Sequence, residues 1–174
     1  DVSACGGYDC DDIWAYDYNS DTWTKKMDMD DEVFAYRASR FYDTQSDIII
    51  LVEQSGDDGD VWAYDVDANT MTQKSDSPSA LEASRAPTYY DSESDRGIVI
   101  ERSTGNGLDV YAYDYETDTW TQMADRPNVD FEDGAVYYDE ESDRGILYQK
   151  GGSSYDDVYS YDFNTDTWLE LSTQ

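Results

Sequence analysis

The chain has 174 residues, enough for one domain with a core of its own. It carries 41 Asp and Glu against 11 Lys and Arg, has no His, and bears a formal net charge of -30. Such a surface repels nucleic acid and anionic membranes and excludes both as partners, and no run approaches the roughly 18 apolar residues of a membrane-spanning helix.

Leu, Ile, Val and Phe make up only roughly 15% of the residues, which with this charge would ordinarily indicate disorder. Seventeen Tyr and five Trp, placed on a strict period, argue the other way. Each aromatic buries a large area, so here they stand in for the missing aliphatics. The carboxylate excess has three readings: adaptation to high salt, collection of divalent cations, and plain solubility. The first is preferred, because counterions screen the self-repulsion of a hydrated acidic surface.

From its first residue, Asp1, the chain shows neither Met nor a signal-like segment, and is expected to be a processed form or a fragment. Cys5 and Cys10, in C-G-G-Y-D-C, suit a small loop-closing disulfide, with free thiols or a metal as alternatives. A disulfide implies an oxidising compartment, hence an extracellular or cell-surface location.

The next stretch sets the pattern for the whole chain. D-I-W-A-Y-D-Y-N-S-D-T-W starts at Asp12 and returns from Asp60, Asp109 and Asp157. Its lead aromatics Trp14, Trp62, Tyr111 and Tyr159 recur about every 48 residues. Each copy alternates apolar and polar residues, breaks at a short polar turn and resumes at T-W, which reads as a strand, a tight hairpin and a second strand. A second hairpin interleaves on the same period from Phe41, Tyr89 and Tyr137, the last two as Y-Y-D-x-E-S-D-R-G-I. Two hairpins per repeat predict a four-stranded antiparallel sheet repeated as in a β-propeller.

The repeats span approximately 1–33, 34–83, 84–133 and 134–174. Predicted strands are 2–5, 13–17 and 22–27 in the first repeat, which lacks its innermost strand. The second has 36–42, 47–53, 60–64 and 70–74, and the third 84–90, 97–102, 109–113 and 119–123. The fourth has 134–138, 145–150, 157–161 and 167–171. The reading is therefore all-β, with about fifteen antiparallel strands in one domain over residues 1–174.

The doublets Gly6-Gly7 and Gly151-Gly152, the D-[VI]-[WY]-x-Y-D strands and the T-D-T-W endings resemble kelch repeats. The Y-D-x-E-S-D-R-G-I hairpin is similar to kelch-type repeats of secreted and cell-surface proteins of bacteria and archaea. Departures are Ser55-Gly56 and Thr104-Gly105 at the doublet, and Met71 at the Trp. Kelch propellers usually close with six or seven blades. The resemblance therefore leaves three arrangements open here: a small four-bladed ring, pairing with a second copy through open edge strands, or a piece of a longer protein.

The hairpins read D-x-[DNEQ]-x-[DN]. They are Asp17, Asn19, Asp21; Asp43, Gln45, Asp47; Asp65, Asp67, Asn69; Asp91, Glu93, Asp95; Asp114, Glu116, Asp118; Asp139, Glu141, Asp143; and Asp162, Asn164, Asp166. Alternate oxygen ligands open a calcium loop, so calcium is the one cofactor the sequence raises. The competing reading is Asx turn chemistry, which needs no metal. Either way one face of the disc should be ringed by carboxylates. On the opposite face Arg37 and Arg85, with Asp133 at the equivalent position, start the inner strands and are candidates for clamping an anionic group. Arg96 and Arg144, in the repeated S-D-R-G turn, are expected to be structural partners of the hairpin.

Without His there is no imidazole base, no Ser–His or Cys–His pair and no His metal ligand. That excludes copper oxidases resembling galactose oxidase, while the turns, which resemble the Asp-box of sialidases, lack its glycine. The expected role is a non-catalytic extracellular binding or assembly module, a rigid acidic propeller whose loop face binds a protein or glycan. The alternatives are a calcium-dependent structural or adhesive surface protein and, last, a carbohydrate-active enzyme with a carboxylate pair.

Overall fold

The computed structural model describes residues 12–28, 38–53, 59–81, 83–101, 108–127, 134–148 and 157–172. Every regular element among them is a strand, fourteen in all. β1 (Asp12–Asp17) and β2 (Thr22–Asp28) form a two-stranded first sheet. The second sheet runs β3 (Ser39–Asp43), β4 (Ile48–Val52), β5 (Val61–Asp65) and β6 (Thr70–Gln73) in sequence order. The third repeats this order with β7 (Thr88–Asp91), β8 (Arg96–Ile100), β9 (Val110–Asp114) and β10 (Thr119–Met123). The fourth does so with β11 (Ala135–Asp139), β12 (Arg144–Tyr148), β13 (Val158–Asp162) and β14 (Thr167–Ser172). All pairs are antiparallel. The predicted strand 2–5 lies outside the described residues.

The sheets stack through their innermost strands, β3 against β7 and β7 against β11. This is a propeller-like, all-β arrangement in which the core lies between sheets. Period-two alternation explains how one strand serves two neighbours. In β9, Tyr111 and Tyr113 face the second sheet, where they meet Phe41, Ile50, Val52 and Ala63. Val110 and Ala112, between them in sequence, face the fourth sheet and meet Leu147, Tyr159 and Tyr161. Strands covered on both faces are apolar throughout, as in the Ile-Ile-Ile-Leu-Val of β4.

Two innermost strands start later than their alternation predicts. The third-sheet strand expected from 84 begins at Thr88, because residues 83–86 form a tight turn. There the Ala86 N–H bonds back to the Ala83 carbonyl, and Pro87 follows without an N–H to offer the ladder. The second-sheet strand expected from 36 begins at Ser39. The Ser39 hydroxyl lies within hydrogen-bond distance of the Ala83 and Ala86 carbonyls, at 2.6 and 2.7 Å, and ties the second sheet to that turn.

Candidate functional site

All seven described hairpins are built the same way. Their first Asp turns its carboxylate back over the turn and accepts backbone N–H groups two or three residues on. Asp17 accepts from Asn19 at 2.8 Å, Asp91 from Ser94 at 3.0 Å, and Asp162 from Thr165 at 3.0 Å. The last Asp or Asn adopts the left-handed conformation, with φ between 52° and 58° at Asp21, Asp47, Asn69, Asp95, Asp118, Asp143 and Asp166. These are the residue types that tolerate it, since a short polar side chain can bond locally.

A third member completes the turn. The Tyr immediately before the first Asp donates its hydroxyl to the last Asp or Asn. Tyr16–Asp21, Tyr64–Asn69, Tyr90–Asp95, Tyr113–Asp118, Tyr138–Asp143 and Tyr161–Asp166 do so at 2.6–2.8 Å, and Tyr42–Asp47 makes the same bond. The clamp leaves the middle residues Asn19, Gln45, Asp67, Glu93, Glu116, Glu141 and Asn164 exposed on a rigid frame. Burial, followed by the Asp hydrogen bond, pushes the Tyr113 and Tyr161 phenols well above their ordinary range. Burial acts against ionised Asp162 and Asp114, yet hydrogen bonds from Thr165 and Arg144, and from Thr117 with the Arg96 charge, outweigh it and hold both carboxyls low.

Bonds within and between sheets gather the hairpins on one face. The Asn164 amide donates to Asp143 at 2.8 Å and its oxygen lies 3.4 Å from the Ser94 hydroxyl, while the Gln45 amide donates to the Ser92 carbonyl at 2.8 Å. The last turn residue also bolts its sheet to the one before. The Asn69 amide donates to the Lys26 carbonyl, Asp118 accepts the Ser75 N–H, and Asp166 accepts the Ala124 N–H. Arg96 and Arg144 pair with Asp114 at 2.8 Å and Asp162 at 2.6 Å, each tying its hairpin to the other hairpin of the same sheet.

The metal reading sits on these same residues. Among the described residues no three acidic side chains converge on one point. Between the third and fourth sheets the Asp143 charge, followed by burial, pushes the Glu93 carboxyl up. Of the anion-clamp candidates, Arg37 and Asp133 lie outside the described residues, as do Cys5 and Cys10. Arg85 is exposed at the apex of the 83–86 turn with φ 55°, and among the described residues it alone is left-handed without being Asp, Asn or Gly.

Sequence reasoning missed three buried charges. Glu53 and Glu101 follow β4 and β8 at equivalent positions, 1% and 2% exposed. Glu101 accepts the Asp109 N–H at 3.1 Å, closing the loop to β9. Arg126 is 1% exposed and donates through Nε to the Glu101 carbonyl at 2.8 Å, where the second sheet has Ser77. The signal is an acid directly after the apolar strands β4 and β8, and an Arg before Pro127 where its counterpart before Pro78 is Ser.

No protein-family model and no curated protein sequence matches the chain. Among solved structures it is similar to TolB from Acinetobacter baumannii, at TM-score 0.58 and 15% sequence identity over 92% of this chain. That likeness shows a propeller-like all-β fold. The chain spans 37% of the length of TolB. No helix of the described residues is long and apolar enough to cross a membrane.

Proposed function

We propose that the chain is a non-catalytic binding module, a kelch-type propeller adapted to high salt and displayed outside the cell, whose hairpin face binds a protein partner. The observation that carries this reading is the seven-fold repetition of one clamped turn. Its acids are engaged in holding the frame, and its middle residues stand exposed in fixed positions, as a preorganised recognition surface requires. The kelch assignment is supported by the D-[VI]-[WY]-x-Y-D motif falling on β1, β5, β9 and β13. The salt and location readings rest on the charge of -30 and on the Cys5–Cys10 spacing.

The test is capture from the secreted and surface proteins of the source organism at about 3 M NaCl, where surface charge is screened. The wild-type chain is expected to retain a defined protein that the Glu93→Ala/Glu116→Ala/Glu141→Ala variant loses. Equal retention by both, retention of polysaccharide alone, or turnover of a glycan overturns the reading.

The crowding of Glu93 against Asp143 favours one second reading, a calcium-dependent structural role. Millimolar Ca²⁺ should then raise the melting temperature more than NaCl of equal ionic strength. An equal effect of the two salts removes it.

A further inference from the structure

The packing that holds the second sheet to the third, and the third to the fourth, has two halves, and the molecule leaves one of each bare. The forward half is the row Phe41, Ile50 and Ala63 in the second sheet and Tyr89, Ile98 and Ala112 in the third. Phe41 and Tyr89, the aromatics of these rows, are buried against Gly97 and Gly145 of the following sheet. In the fourth sheet the same row is Tyr137, Ile146, Ser160 and Leu169. There Tyr137 is 61% exposed and Leu169 62%. Leu169 is notable because the corresponding outer-strand residues, Thr72 and Thr121, are polar.

The backward half is the aromatic set Tyr111, Tyr113 and Trp120, packed on the second sheet. Its first-sheet counterpart is Trp14, Tyr16 and Trp23. Tyr16 and Trp23 keep the same tilted ring contact, 4.9 Å against 4.7 Å for Tyr113 and Trp120, yet both are bare, with Trp23 65% exposed. The bolt is unmade too. Asp21 accepts from Tyr16 but, among the described residues, has no partner in another sheet, unlike Asn69, Asp118 and Asp166. Among the described residues the two bare halves do not meet, since β11–β14 make no substantial contact with β1 or β2.

We propose that the forward face of the fourth sheet docks the first sheet of a second copy of this chain, head to tail, repeating the intersheet contact of the interior. Continuity with that contact selects the occupant. A surface that presents Tyr137 and Leu169 in this row fits a sheet that presents Trp14, Tyr16 and Trp23, and the chain itself carries one. Asp21 of the second copy then reaches the end of β14 near Ser172, the place Ala124 holds for Asp166. The contact is heterologous, so it closes a ring or extends as a filament according to the rotation between copies. Like charge opposes docking, and salt relieves it. The inference deepens the binding reading above by naming one partner, but uses a different surface from the hairpin face.

The experiment is light scattering on the full chain at about 100 µM, above the micromolar range of weak interfaces of this kind, in dilute buffer and in about 3 M NaCl. The expected mass in high salt is at least twice the chain's 19.9 kDa. Trp23→Ser and Leu169→Asp change exposed positions and should each give a monomer in high salt, with the melting temperature of the wild-type chain in dilute buffer, where none associates. Their equimolar mixture should recover a species of two chains and no larger, because each variant keeps one working face. A wild-type monomer in high salt, a mass unaffected by either variant, or a mixture that stays monomeric overturns the proposal. In the first case other occupants, such as further sheets of a longer chain, cover these faces. The hairpin capture experiment is unaffected by any of these outcomes.

Discussion

The ring of Phe41 occupies the space a side chain on Gly97 would fill: a Cβ there would lie 1.9 Å from Phe41 Cζ. Gly145 stands in the same relation to Tyr89, at 2.4 Å from its Cζ. The glycines are thus sockets for aromatics of the preceding sheet, and the contact locks neighbouring sheets in register. Gly97→Ala should destabilise the fold by about 1–3 kcal/mol through overpacking. Adding Phe41→Leu should recover part of that loss, so a double-mutant cycle by urea unfolding in high salt should give a clear coupling. Additive losses would show that the two residues are not a socket and its plug.

The Tyr clamp predicts a graded series. Tyr113 and Tyr161 are buried and donate to Asp118 and Asp166, each of which also takes a backbone N–H from the preceding sheet. Removing the hydroxyl by Tyr113→Phe or Tyr161→Phe should cost about 1 kcal/mol, the net worth of one hydrogen bond. Asp118→Ala should cost more than either, because it loses the Tyr113 bond, the Ser75 bond and the tolerance of Asp for a left-handed backbone. Tyr16→Phe, in the solvent-exposed first sheet, should cost least. Equal losses at Tyr16 and Tyr161 would show that burial does not decide the clamp's contribution.

Much of this was legible before any coordinates. The Y-D-x-x-x-[DN] turns place each strand end within a residue or two, because an Asx turn and a left-handed Asp are local features that the sequence writes directly. Tyr111 and Trp14 show where legibility ends. They hold equivalent positions in the repeat, yet one is 5% exposed and the other 46%, because exposure depends on whether another sheet stands opposite. Glu53, Glu101 and Arg126 were passed over for a related reason: in so acidic a chain a charge is read as surface. The bonds from the Asp109 N–H to the Glu101 carboxylate and from Arg126 to the Glu101 carbonyl show Glu101 and Arg126 as interior supports.

Arg85 carries a prediction of its own. A non-glycine residue held at φ 55° costs about 1–2 kcal/mol relative to a right-handed conformation, and nothing in its side-chain contacts explains the choice of Arg. Arg85→Gly should therefore stabilise the isolated chain by about 0.5–1 kcal/mol, once the greater freedom of Gly in the unfolded chain is deducted. Arg85→Ala should give no gain. If the guanidinium clamps an anion, the Gly variant will be more stable yet bind a carboxylated or sulfated ligand less well. A stabilised variant with undiminished binding would assign Arg85 no recognition role.

The pH response follows from two opposed families of groups. The Tyr89, Tyr90, Tyr113 and Tyr161 phenols are pushed up, chiefly by burial. A phenol with a raised folded value binds its proton more tightly in the folded state. Its contribution to stability is complete below the unfolded value of about 10 and declines as pH rises above it. The Asp114, Asp118 and Asp162 carboxyls are held low, the hydrogen bonds and nearby cations outweighing their burial. Their contribution is present above the unfolded value of about 3.9 and is lost as pH falls through the lower folded values. Asp91, pushed up chiefly by burial, and Glu93, pushed up chiefly by the Asp143 charge, act in the opposite sense and cost stability as they ionise above the unfolded carboxylate value. Beyond their ionisation stability should be flat, since no histidine titrates, until the phenols begin to ionise. On the alkaline side, phenolate absorbance should rise first for exposed tyrosines. Tyr89, Tyr90, Tyr113 and Tyr161 should ionise only together with loss of the strand circular dichroism signal. Ionisation of all tyrosines with the sheets intact would mean that the phenols of the clamp are not held out of water.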